Sequence, residues 1–331
     1  MNRFFPSHRT AGTTLAVALA CLGTAALAQN AAYPTRPVRL IVGFPAGTGP
    51  DIVARLLAQK LSEGWGNVGV IVDNKPGAGG LIAASEAARA VPDGYTLMLG
   101  ETGQLSIAPS SYSKLPYDPA QDFVPVSQVV TSDFMLLVNP QKVPARNVKD
   151  FVSWTQQQKG LFMGTFGAGT PGHFGAYMFG DAVGQKPEPV HYKSTGDALG
   201  GIFSGDVSGV FASVGLAAPN VKAGKLVALA SSGEARSASL PDVPTFKEQG
   251  YPQLVFNSWF GVVAPAKTPP AIVAKLSADI QKAVRSPEGR AKMEDAGFAV
   301  TGTDGPEFAR IIAADTRTWG KAVAATGFKA D

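Results

Sequence analysis

The 331-residue chain has one cysteine, Cys21, and three histidines. Cys21 lies in a segment that reads as a removable leader. The working protein is therefore expected to hold no disulfide, no thiolate ligand and no thiol nucleophile. His8 lies in the same segment. His173 and His191, with no supporting cysteine or acidic cluster, make a poor metal set, so no metal is expected. A G-x-S-x-G elbow is also missing; the nearest string, Ala212-Ser213-Val214-Gly215, lacks the leading glycine. No carboxylate pair stands at a suggestive spacing. Without a nucleophile–base–orienter set, an enzyme is not expected. Beyond the leader no stretch reaches the roughly 18 apolar residues of a spanning helix. The 29 basic and 25 acidic residues are scattered, so no nucleic-acid surface is expected.

The N-terminus carries Arg3 and Arg9 and no acid, then a small apolar run from Ala11 to Leu22, then Ala26-Leu27-Ala28. A basic start, a short apolar run and an A-x-A site predict a signal peptide over residues 1–28, and hence export. Lipidation at Cys21 is the alternative, although Ala18-Leu19-Ala20 is a weak lipobox. The remaining 300 or so residues suffice for two lobes. A hydrophobic fraction of 45 % argues against disorder, and the 38 glycines and 25 prolines fall between apolar runs.

Short apolar strands alternate with helical spacing along the chain. Val38–Val42 predicts a strand, followed by the turn-rich Gly43–Pro50 and a helix from Asp51 with Ile52, Val53, Leu56, Leu57 and Leu61 on one face. Strands are expected again at 68–72 and 96–99, with a helix at 81–90 between them and a loop at 100–104. A second series starts near Phe134, with strands at 134–138, 161–163, 190–192, 207–211 and 226–230. Helices are expected at 148–158, from 173, and at 197–203. Residues 255–264 read as an extended return, and the tail is helical at 270–284 and 306–323. This is an α/β fold of two lobes, each a mostly parallel sheet flanked by helices. Lobe 1 is expected to comprise 29–130 plus 256–331, and lobe 2 131–255. Hinge crossings are expected near 128–135 and 253–260.

Gly167-x-Gly169-x-x-Gly172 has dinucleotide spacing and joins a strand to a helix. Its acidic partner would be Glu188, which sits between two prolines before its strand, and an exported protein meets little nicotinamide cofactor. No cofactor is expected. A Gly-rich loop at a helix N-terminus is still a good anion seat, and Thr165 and Thr170 add hydroxyls. Ala46-Gly47-Thr48-Gly49 repeats that arrangement in the other lobe. Two neutral seats facing one another suit a carboxylate; two plain βα turns are the alternative. His173 reads as a helix-start residue, His191 as structural, and Lys193 as solvated or capping.

Eight strings, in order, carry a resemblance. They are Tyr33-Pro34-Thr35-Arg36-Pro37-Val38-Arg39, Asp73-Asn74-Lys75-Pro76-Gly77-Ala78-Gly79-Gly80, Pro92-Asp93-Gly94-Tyr95-Thr96-Leu97 and Leu115-Pro116-Tyr117-Asp118. Next come His191-Tyr192-Lys193-Ser194, Lys222-Ala223-Gly224-Lys225-Leu226, Leu240-Pro241-Asp242-Val243-Pro244-Thr245 and Phe260-Gly261-Val262-Val263-Ala264-Pro265. The chain resembles the Bug family, the periplasmic substrate-binding proteins of tripartite tricarboxylate transporters.

The resemblance implies a type II-like periplasmic binding-protein fold without catalysis. It implies a small carboxylate closed between the lobes, integral membrane transporter subunits as partners, and a monomer. Carried over position by position, it implies ligand contacts at Phe44, Ala46, Gly47, Thr48 and Asp51, and at Thr102, Gly103 and Gln104. In the second lobe it implies Thr165, Phe166, Gly167, Thr170, His173, Tyr192, Ala212 and Ser213. Amino-acid-binding members often carry Asp where Ala212 or Ser213 stands here, so a non-amino acid is expected. Phe44 and Phe166 make an aromatic acid such as a benzoate or terephthalate a candidate. A periplasmic sensing subunit of the same fold, and more remotely an exported hydrolase, are the rival readings.

Overall fold

The computed structural model describes Met1, residues 33–192 and residues 195–330. The leader, Cys21 and Lys193 lie outside the described residues. Arg36–Asp331 form one compact unit, to which everything below refers.

The first sheet is built on β1 (Val38–Val42), paired in parallel with β2 (Val70–Asn74) and β3 (Thr96–Glu101). Helix α1 (Gly49–Gly64) joins β1 to β2 and turns Val53, Leu57 and Leu61 inward at the four-residue spacing of a helix face. Helix α2 (Leu81–Ala88) joins β2 to β3. Parallel strands put their carboxyl ends, and the loops that follow, on one rim.

Strand β4 (Phe123–Val138) links the two sheets. As far as Asp133 it runs antiparallel to β9 (Asn257–Pro265), which borders β3. From Phe134 it lies between β7 (Gly209–Ser213) and β8 (Val227–Ser231) of the second sheet. The passage between sheets falls between Asp133 and Phe134, inside the first expected crossing. The second sheet continues in parallel through β5 (Leu161–Thr165) to β6 (Pro187–His191). Helices α3 (Val148–Thr155), α4 (Pro171–Val183), α5 (Thr195–Ser204) and α6 (Val214–Lys222) accompany it.

The chain closes with α7 (Pro270–Arg285), α8 (Pro287–Asp295), the short β10 (Ala299–Val300) and α9 (Gly305–Thr326). Helix α9 serves both sheets. Its first turns bury Phe308 edge-on against Trp259, ring centres 5.0 Å apart. Its later turns place Trp319 and Val323 in the phenylalanine-rich core of the second sheet, with Phe174, Phe211 and Phe256.

Three differences from the sequence reading have local causes. Strand β3 runs on through Gly100 and Glu101, expected as loop, because β9 pairs with both positions. Helix α6 was not expected, since Gly215 and Pro219 within it disfavour a helix; it forms on buried Val214, Ala217 and Ala218. Helix α8 is mostly polar, so its weak periodicity hid it; Ser286 caps its N-terminus by accepting from the Gly289 N–H.

Candidate functional site

Three of the described helices begin at one cavity. Thr48, Gly49 and Pro50 open α1, Thr170, Pro171 and Gly172 open α4, and Ser213 precedes α6; all line the same space of about 70 Å³. The first turn of a helix has N–H groups without intrahelical partners and a partial positive charge, so three such ends favour an anion. Among the described residues no lysine or arginine lines this cavity.

The remaining wall is largely aromatic: Phe44, Phe134, Phe166, Phe211 and Phe260. Packing fixes most of these rings. Phe134 stacks on Phe256 at 5.6 Å, Phe260 meets Phe298 edge-on at 5.8 Å, and Phe211 is fully buried among Phe179, Phe246 and Phe256. Phe44 and Phe166 also border a second cavity of about 410 Å³, whose rim includes Gly79, Gly80, Tyr112, Gly167, Ala168, His191 and Tyr192. The two phenylalanines therefore partition one longer cleft. A depression of about 780 Å³ along the outer face of α2, near Ile82, Arg89 and Lys114, receives nothing from the second sheet and holds none of these features.

The loops from the two sheets meet along glycine. A Cβ on Gly79 would lie 2.6 Å from the Ala168 carbonyl oxygen, and one on Gly103 would lie 3.3 Å from that of Gly169. Gly79, Gly167 and Gly169 all have positive φ, which L side chains adopt only with strain.

A profile of the tripartite tricarboxylate transporter family receptor, TctC, matches residues 53–328. The chain belongs to this family. It is 32 % identical to protein BugT of Bordetella pertussis over 95 % of its own length and 97 % of that protein's. A solved R. palustris protein with adipate superposes with a TM-score of 0.86 at 32 % identity, covering 90 % of this chain and 99 % of that one. MatC from Rhodopseudomonas palustris with bound malate superposes with a TM-score of 0.82 at 30 % identity, covering 88 % and 100 %. The neighbours share the two-lobed architecture of periplasmic binding proteins. Among the described residues of this TctC-family receptor, no helix is long and apolar enough to cross a membrane.

The receptor brings only part of the sequence-read set to the two cavities. Phe44, Thr48, Phe166, Thr170 and Ser213 line the smaller one, and Gly167 and Tyr192 reach only the larger. Ser213 makes no capping bond with its hydroxyl, whereas Thr170 accepts from the His173 N–H and donates to the Gly167 carbonyl. Ala46, Gly47, Asp51, Thr102, Gly103, Gln104, Thr165, His173 and Ala212 line neither.

Several of these hold the loops. Asp51 accepts from the Gly47 N–H at 2.9 Å, from Asn74 at 3.0 Å and from Arg55. Burial pushes its pKa up, but those bonds more than offset that, and it stays below the usual aspartate value. Gln104 ties Glu101 N–H to the Gly80 carbonyl, and Thr102 accepts from the Trp259 N–H. Thr165 and His191 share a 2.6 Å hydrogen bond. His173 is wholly buried, accepts from the Gly169 N–H at Nδ1, and leaves Nε2 without a protein partner. Burial, then the nearby His191, pulls its pKa down to about 3, so it is neutral at pH 7. The Tyr192 hydroxyl is buried against Gly201, without a hydrogen-bond partner among the described residues.

The sequence reading missed Phe134, Phe211, Phe260 and Glu101. The rings sit on strands, where an apolar residue gives no sign of facing a ligand. Glu101 did leave a signal: an acid ending the apolar run Leu97-Met98-Leu99-Gly100.

Proposed function

We propose that the protein is exported to the periplasm with residues 1–28 removed. There it captures a small non-amino carboxylate between its lobes, residues 29–130 with 256–331 and residues 131–255, and delivers it to integral membrane transporter subunits. The observation that carries this reading is the convergence of three helix N-termini on a phenylalanine-walled cavity without a basic side chain. Helix ends and hydroxyls bind a carboxylate, while the rings favour an apolar body, aromatic acids included. The relatives solved with adipate and with malate are consistent with it. Neutral donors also let the acid leave again at the membrane partner, because no ion pair has to be broken. Within the sequence-read set, Phe44, Thr48, Phe166, Thr170 and Ser213 are the proposed contacts, and the backbone of Ala46, Gly47 and Gly167 shapes their loops.

A thermal-shift panel of benzoate, terephthalate, adipate, malate, glutamate and aspartate tests this. An acid at a hundred times its Kd stabilises the folded state by about 2.7 kcal/mol. Non-amino acids are expected to raise the Tm. Stabilisation by glutamate or aspartate alone would remove the proposal. Ser213→Ala is expected to lower affinity roughly tenfold, the loss of about 1.5 kcal/mol of charge-assisted hydrogen bond, at unchanged stability. Calorimetry checks the first half and urea unfolding the second. Thr170→Ala adds a stability loss of about 1 kcal/mol, because that hydroxyl also caps α4.

A further inference from the structure

One acidic residue lines a cavity otherwise suited to anions. Glu101, at the end of β3, is 5 % exposed, and its Oε1 has no hydrogen-bond partner among the described residues. A buried carboxyl oxygen without a partner is costly unless something supplies one. An ionised carboxylate there would also repel the acid that the three helix ends attract. A neutral carboxyl reverses this, since it offers an O–H donor to an incoming carboxylate.

We propose that Glu101 is a ligand-contacting residue that keeps its proton and donates it in a hydrogen bond to the carboxylate of the bound acid. The proposal rests on the reading that the acid enters this cavity. Glu101 and Ser213 line the same cavity of about 70 Å³, so a carboxylate held there by Ser213 and the helix ends shares that space with Glu101. The packed elements present no charge to it. Across the sheet stand Ser258, Phe260 and Gly261 of β9; Gly103 and Gln104 follow it; Thr48 and Gly49 line the same cavity. Tyr117 is the titratable group whose pKa responds to Glu101, and burial pushes that phenol up, so it stays neutral. Burial pushes Glu101 itself up to about 8, against weaker help to the anion from the Gly103 N–H and the Ser258 hydroxyl. The consequence is a site whose affinity is coupled to a proton. It binds acids well at neutral pH and loses them as Glu101 ionises.

The test is calorimetry with benzoate and adipate as probes, both ionised across the range, at pH 6.5 to 9 in buffers of different ionisation enthalpy. Wild type is expected to take up about half a proton on binding at pH 8, and to lose affinity up to tenfold per pH unit above that. Glu101→Gln keeps a donor and is expected to bind within about threefold of wild type at pH 7, with no uptake and a flat profile. Glu101→Leu lacks the donor and is expected to bind about tenfold more weakly at pH 6.5. Circular dichroism establishes that each variant is folded, and the wild-type proton count needs no variant. Binding without proton uptake by wild type, or with proton release, overturns the role of Glu101 and leaves the carboxylate site standing. Failure of both probes and of the wider acid panel to bind wild type overturns the carboxylate site, and this proposal with it.

Discussion

Gly79→Ala is expected to weaken acid binding by one to two orders of magnitude while the protein stays folded. Gly79 sits at φ 62° in the loop after β2, where any side chain carries strain of about 1 kcal/mol. A second effect arises where the two loops meet. The new Cβ would lie 2.6 Å from the Ala168 carbonyl oxygen, a backbone atom of the opposite loop that no rotamer change can move. Relief requires the loops to part. Overpacking of this kind costs about 1–3 kcal/mol, and if capture closes the lobes over the acid, as we propose, the cost falls on the state in which the loops meet. A ligand that needs closure loses that amount in apparent affinity. Gly66→Ala supplies the control, since Gly66 has φ 65° and open space where a Cβ would stand. It carries the strain without the collision. Calorimetry is expected to show weak binding for Gly79→Ala and wild-type binding for Gly66→Ala. X-ray scattering is expected to show Gly79→Ala remaining expanded at saturating ligand. Equal affinity in all three proteins would mean that the glycine seam plays no part in capture.

The second large effect concerns stability against pH, where two buried groups oppose each other. His173 titrates near 3 when folded and near 6.5 when unfolded. Between those values the unfolded chain binds the extra proton, so stability falls as pH falls, by up to about 1.4 kcal/mol per unit. Glu101 titrates near 8 when folded and near 4.5 when unfolded. Between those values the folded chain holds the extra proton, so stability falls as pH rises, with the same limiting slope. From about pH 4.5 to 6.5 the two nearly cancel. His191, lowered by burial, adds to the first trend; Asp133 and Asp315, raised by burial, add to the second.

Wild type is therefore expected to show a shallow profile that hides two steep ones. In His173→Asn the amide oxygen can still accept from the Gly169 N–H. That variant is expected to lose stability as pH rises from 4.5 to 6.5, and Glu101→Gln to gain it over the same range, each by about 1 kcal/mol per unit. Urea unfolding at pH 4.5, 5.5 and 6.5 measures both. Parallel profiles for the two variants would contradict the buried, neutral state of these groups.

The loops were more legible in the sequence than the walls. Gly47, Gly167 and Gly169 announced tight turns, and all three adopt positive φ. The helix expected from His173 begins two residues earlier, at Pro171, with Thr170 as its cap. The passage of β4 from one sheet to the other falls where the second strand–helix series was expected to begin. Side-chain direction was less accessible. Asp51 stands at the expected helix start and Thr102 and Gln104 after β3, but their polar atoms are engaged by Gly47, Trp259 and Gly80, and such partners are set by tertiary packing. Phe134, Phe211 and Phe260 were invisible for a related reason. Each lies on a strand with core on one side and cavity on the other, and a period of two does not say which residue meets the ligand. The reach of α9 into both cores escaped notice because spacing shows that Phe308, Trp319 and Val323 are buried but not against which sheet each packs.

The central claim is that an acid binds with its carboxylate among the starts of α1, α4 and α6. The most direct test is a crystal structure of the protein with the panel acid that stabilises it most. The account predicts a carboxylate oxygen within hydrogen-bond distance of Ser213 Oγ and of a first-turn N–H of α1 or α4, with the body of the acid against Phe44 and Phe166. An acid bound outside this cavity, or one whose carboxylate is held by a lysine or arginine, would contradict it.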